Sequence, residues 1–241
     1  MYAHTPSHAV VVSSCVLVAE NTASAGGACD PRADILDLGV SVRRKLRLGI
    51  AHTRASSAVR FLMLLVVIQS MAVMAPNMQW QIRFGEMGTA DIRPYMWVGI
   101  MLFIAFGAVC GPLVKRAVAD ARLAMVLVNI GIGIFLAASA QSAWHTAAYL
   151  FLAHEVWRGM FEPIESDYLK ANTKLSTRAT VWSIVSSCHN LGGMIGLPIT
   201  GLLADKGGIT FAWYHAGLFL VYGTIASSLL AVFLTQRKRA H

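Results

Sequence analysis

The chain has 241 residues, 56% of them hydrophobic and 13% charged, with a formal net charge of +8. An average soluble domain carries roughly a quarter charged residues, so this composition excludes an ordinary soluble globular protein. It also excludes a nucleic-acid binder, because the basic residues do not gather in one patch but fall between long uncharged stretches.

Residues 1–34 read as a disordered or atypical tail. The apolar run 9–19 is too short to span a bilayer and lacks the basic flank of a secretory signal. The residues before Cys29 lack the leading Leu of a lipid-attachment site. Residues 35–58 form a basic segment. Its apolar residues at 35, 38, 42, 46 and 50 are near helical spacing, which places Arg43, Arg44, Lys45 and Arg47 toward water or lipid headgroups. A short helix on the cytoplasmic surface is the expectation.

From residue 59 to residue 236 the pattern changes. A bilayer core of about 30 Å takes about 20 apolar residues of helix, and six stretches meet this length. Residues 61–82 lie between Arg60 and Arg83, and 94–114 between Arg93 and Lys115. The run 123–154 has no Asp, Glu, Lys or Arg and is too long for one helix. Gln141, Ser142, Trp144 and His145 divide it, giving helices at 121–140 and 144–167. Residues 179–204 and 210–235 complete the set, and 237–241 form a basic tail. Backbone groups in lipid must be paired within the chain, so these runs are helices. The predicted fold is an all-α, polytopic bundle of six transmembrane helices.

Six spans place both termini on one side. If that side holds the N-terminal segment, it collects fifteen Lys and Arg residues, from Arg43 through Lys115, Arg116, Arg122, Lys170, Lys174 and Arg178 to Arg239. Arg83, Arg93 and Lys206 fall on the other side. This bias puts both termini in the cytoplasm.

Ionisable groups within a span are costly and mark functional candidates. The fourth helix carries His154, Glu155, Arg158, Glu162, Glu165 and Asp167. Glu155, Arg158, Glu162 and Glu165 are spaced three, four and three apart and share one face. Two readings of Glu155 and Arg158 stand together. One is a coupling site where Glu155 exchanges a proton under the charge of Arg158; the other is a structural ion pair between helices. Glu162, Glu165 and Asp167 read as partners of Lys170, Lys174 or Arg178 near the cytoplasm. His189 and Asn190 lie near the middle of the fifth helix, either in a substrate path or hydrogen-bonded within the bundle. Gln69, with Ser70, Asn77 and Gln79 on the first helix, and Asn129 on the third, are pathway or interhelical amides.

Gly192, Gly193, Gly196 and Gly201 with Pro198 are expected to weaken and kink the fifth helix. Gly192 and Gly196 permit close helix contact. Cys110 and Cys188 read as small packing residues, and no cysteine pattern implies a disulfide or a metal. The stretch from Ser186 to Gly193 lacks the arrangement of a membrane serine protease. His145, His154, His189 and His215 form no haem-ligating pairs. The expectation is a protein that is not an enzyme and carries no cofactor.

Two passages resemble a known family. Pro163 is followed by Tyr168-Leu169-Lys170-Ala171-Asn172, and then by Arg178-Ala179-Thr180-x-x-Ser183. This is similar to the tenth-to-eleventh helix passage of major facilitator superfamily transporters, with Lys170 where that family often has Asn. Gly201-Leu202-Leu203-Ala204-Asp205 resembles its helix ends, and Gly192, Gly196, Pro198 and Gly201 resemble its Gly/Pro-rich exporter motif. Gly111, Leu113, Arg116 and Arg122 fit its cytoplasmic loop, but Lys115 replaces the acidic residue and Val118 the glycine. The resemblance covers about residues 40–236 and aligns them with the C-terminal half of a twelve-helix transporter. It implies transport of a small molecule by alternating access, with the path built between two six-helix halves. The implied partners are a small-molecule substrate, the lipid bilayer, and a second half or a second copy of this chain. The rival expectation is a membrane protein that binds or assembles without transporting, or an inactive fragment.

Overall fold

The computed structural model describes residues 44, 46–86, 93–118 and 120–239; the expectations for the tail 1–34, for residues 35–43 and Lys45 of the basic segment, and for residues 240–241 of the basic tail lie outside the described residues. Those described are helical apart from short joints, and none is in a strand. Helix α1 covers 46–55. Helix α2 is Ser57–Glu86, α3 is Arg93–Val118, α4 is Ala121–Gln141 and α5 is Trp144–Asn172. The last helical stretch, Leu175–Arg239, breaks at Gly208 (φ 81°, ψ 172°), giving α6 over 175–207 and α7 over 209–239. Only glycine adopts that φ without a Cβ clash.

Local chemistry sets the joints. Asp120 caps α4 by accepting a hydrogen bond from the Arg122 backbone N–H at 2.8 Å. Ser142 and Ala143 separate α4 from α5, within the turn expected there. The Ser139 hydroxyl donates to Ala147 O at 2.8 Å across this corner, which satisfies a buried hydroxyl. The second half of the fifth predicted span, where the glycines and Pro198 gather, stays helical. Helical geometry runs unbroken through Gly192, Pro198 and Gly201 to residue 207, and the first non-helical residue is Gly208.

Two buried clusters give the topology. One joins Val59 and Leu62 of α2, Met125 and Val128 of α4, Ile164 and Leu169 of α5, and Val181 and Val185 of α6. The other joins Trp80 and Phe84 of α2, Met96 and Ile100 of α3, Leu136 of α4, Phe151 of α5 and Trp213 of α7. Thus α2 and α4 run from the first cluster to the second, and α5 runs back. Helix α3 leaves the second cluster and reaches the first at Val114 and Val118. Gly192 meets Val67, and Gly196 meets Met71, while Gln79 donates to Thr200 O at 3.5 Å; α6 therefore ascends beside α2. Helix α7 descends beside α2, with Ile68 against Gly223 and Ala231 packed at the first cluster. The six long helices alternate in direction.

Glycines set the closest crossings. A Cβ on Gly107 would strike Val156 O, and one on Gly159 would strike Ile104 O, so α3 and α5 touch backbone to backbone. Gly133 and Gly217 do the same for α4 and α7. Gly192 and Gly196 bring α6 onto α2. Small residues matter most where apolar burial gives helices no preference for each other over lipid, and close packing must hold them instead.

The outer surface is apolar. Tyr95, Trp97, Leu102, Phe106, Val109 and Leu113 of α3 are exposed, as are Met194 and Leu202 of α6 and Tyr222, Leu229 and Phe233 of α7. Such a continuous belt is foreign to a water-facing surface. Among the described residues, four helical stretches are long and apolar enough to cross a membrane: Ser57–Gly85, Pro94–Val118, Ala121–Gln141, and Leu175–Phe233, which includes the Gly208 break. These stretches mark a membrane protein. Helix α5, with its row of charges, is not among them.

Candidate functional site: a polar cavity between α2, α5 and α6

A cavity of about 490 Å³ lies between α2, α5 and α6, with Ile104 of α3 at its wall. It is within the size range of small-molecule sites. Its ionisable lining is Arg158, Glu162, Glu165 and His189.

Three helices meet at one imidazole. His189 of α6 has Nδ1 2.8 Å from the Ser70 hydroxyl of α2. Its Nε2 is 3.4 Å from both carboxylate oxygens of Glu165 on α5. Glu165 is 4% exposed. With the Ser70 hydroxyl donating to Nδ1, the ring proton sits on Nε2 and points at the carboxylate, and protonation of His189 would turn this contact into an ion pair. At 3.4 Å the contact is longer than an ordinary hydrogen bond, so a small approach of α5 to α6 would tighten it.

A second polar line runs along α5. Arg158 Nε stands 3.1 Å from Glu155 Oε2, and Arg158 Nη1 donates to Asn77 Oδ1 of α2. The Glu155 contact is electrostatic rather than an aligned hydrogen bond, since Oε2 has no hydrogen-bond partner. Glu155 is 1% exposed, and its Oε1 lies 3.5 Å from His154 Nδ1. The His154 ring is fully buried and stacks on Phe151 at 5.6 Å. Removing Arg158 would leave the buried Glu155 charge without its cation.

Gln69, Arg158, His189 and Asn190 line the cavity together. Glu155 lies behind it and reaches it through Arg158. Asn129 does not reach it: its amide is buried in α4 beside Val128, with no hydrogen-bond partner for either polar atom. Gly192 and Gly196 make the α2 contact. Pro198 and Asp205 are exposed, and a Cβ on Gly201 would meet nothing within 4 Å. Arg178 donates to Lys170 O at 3.2 Å. Lys115 bonds Asp167 at 2.8 Å, linking α3 to α5 at the basic end of the bundle.

Glu165 turns toward His189 rather than toward Lys170, Lys174 or Arg178. The spacing put Glu155, Arg158, Glu162 and Glu165 on one face, but no sequence signal singled out Glu165 as the carboxylate that meets His189. Trp182, Phe161 and Met74 also line the cavity, and nothing in their local sequence sets them apart from core residues.

Compared with family models, with curated proteins and with solved structures, the chain matches none.

Proposed function

We propose that the chain moves a small molecule across a membrane by alternating access, coupled to protons, as one six-helix half of a secondary transporter. In this reading all six long helices cross the bilayer. Helix α5 crosses because its charges turn inward, toward the cavity and the core. Both ends lie in the cytoplasm, on the side of Arg60, Arg122, Lys115 and Lys170. The half resembles the C-terminal half of the major facilitator superfamily.

The observation that carries the reading is the Glu165–His189–Ser70 chain, which joins α5, α6 and α2 at the cavity wall. Ionisable groups placed inside a membrane bundle are expensive, and a path for substrate and protons is what repays them. Groups of this kind on three helices couple a protonation change to helix position. Glu155 with Arg158 is the second coupling candidate.

The exposed polar residues beside the cavity support a second half. Asn77, Glu162, Ser186 and Asn190 are exposed, which is costly against lipid. A second copy of the chain or another six-helix unit would cover them. The same exposed face supports the alternative reading, a membrane binding or assembly protein without transport.

Proteoliposomes holding a pH-sensitive dye separate the two. The chain, reconstituted alone, is challenged with a panel of sugars, amino acids and organic cations. The transport reading predicts that at least one compound moves protons across the membrane, and that Glu165→Gln abolishes this. No proton movement with any compound, alone or with a co-reconstituted second half, would leave only the alternative.

A further inference from the structure

We propose that the pocket between the starts of α2 and α4 and the ends of α5 and α7 binds the phosphate of an anionic phospholipid. This pocket, of about 310 Å³, is separate from the transport cavity.

Two guanidinium groups line it, Arg60 of α2 and Arg122 of α4, and its lining contains no carboxylate. Neither arginine makes an ion pair among the described residues. Arg122 is held in place: its backbone N–H bonds Asp120, and its Cζ lies 4.3 Å from the centroid of the Phe61 ring. Yet its Nη2 is buried without a hydrogen-bond partner. A buried, unpaired guanidinium N–H is costly, and an oxyanion in the pocket would offset that cost through its charge, beside the part of the half-buried Arg122 side chain that lines it.

The remaining polar lining consists of hydroxyls. Ser57 and Tyr168 each bring a donor, while the Ser227 hydroxyl already donates to Thr224 O at 2.9 Å. Guanidinium forks with hydroxyl donors suit a phosphate, which accepts through two oxygens at once.

The walls identify the source of that phosphate. Leu64 of α2 and Leu230 of α7 line the same pocket and are 39% and 50% exposed. A free phosphate has no use for them, whereas the acyl chains of a lipid would lie along them. The pocket also sits at the end of the bundle where the basic residues gather, the level at which anionic headgroups attract Lys and Arg.

The test uses the full chain purified in a neutral detergent. Thermal unfolding is followed with added phosphatidylglycerol, phosphatidylcholine or inorganic phosphate, and native mass spectrometry counts retained lipid. Phosphatidylglycerol should raise the midpoint by roughly 5 °C at saturation, with one lipid retained. Phosphatidylcholine and inorganic phosphate should not. Arg60→Gln, at an exposed side chain, should keep the unliganded midpoint and lose most of the lipid shift; Arg122→Gln should lose it as well. An equal shift from phosphatidylcholine or from inorganic phosphate would overturn the proposal. So would a full phosphatidylglycerol shift retained in both variants.

Discussion

Glu165 and His189 stand 3.4 Å apart on α5 and α6, two helices that share little other contact. Their interaction is therefore a principal link between these helices, and its strength depends on protonation. Neutralising Glu165 with Gln should keep the fold, because an amide can still accept from the imidazole, but should abolish proton-coupled movement. His189→Ala should lower flux and also reduce stability by roughly 1–3 kcal/mol, since the buried carboxylate loses its donor. Flux assays and detergent unfolding curves on the two variants check this; full coupling in Glu165→Gln would remove Glu165 from the mechanism.

Arg158 and Glu155 respond asymmetrically. Arg158→Ala leaves a carboxylate that is 1% exposed without its cation, which costs roughly 3–5 kcal/mol. Glu155→Gln leaves Arg158 one quarter exposed and still bonded to Asn77, so its cost should be smaller. Unfolding of the two single variants and the double variant measures the coupling between them. Equal losses in the two single variants would contradict the arrangement.

The glycines divide sharply by position. Gly159→Ala places a Cβ against the Ile104 carbonyl and should destabilise by roughly 1–3 kcal/mol, as an overpacked core does. Gly201→Ala meets nothing within 4 Å and should be neutral or stabilise by about 0.5–1 kcal/mol, because alanine favours helix. Thermal unfolding of the two variants side by side is the check.

Lys115 and Asp167 respond to acid. Lys115 donates to Asp167 Oδ2 at 2.8 Å, and Lys170 Nζ lies 3.9 Å from Oδ1. Protonating the carboxylate in acid removes its charge, and with it the ion pair. Asp167→Asn should therefore weaken the α3–α5 link at neutral pH and remove its acid-sensitive part. A pH series of unfolding midpoints below pH 4, converging for wild type and variant, is the expected result.

The helices were legible because lipid-facing and core-facing residues are both apolar, so charge-free runs mark them directly. The joint at Ser142 and Ala143 was legible because polar residues interrupt one such run. The unbroken helical course of α6 was not. Gly192 and Gly196 are soft in isolation, but their backbone rests on Val67 and Met71, and that support comes from α2, 125 positions away in the chain. The shared face of α5 was legible from spacing alone. Which of its carboxylates meets His189 was not, because the depth of α6 relative to α5 decides it. Asn129 shows the same limit: an amide in a span reads identically whether it faces a cavity or, as here, a packed helix.

The central claim is that the cavity opens alternately to the two sides of the membrane. Ser186 is exposed and lines that cavity. Ser186→Cys, in a chain with its four native cysteines replaced by Ser, can be labelled with a membrane-impermeant thiol reagent in vesicles of either orientation. The account predicts labelling from both sides, with the ratio of the two rates shifting when a proton gradient is applied or when Glu165 is changed to Gln. Labelling from one side only, under every condition, would contradict it.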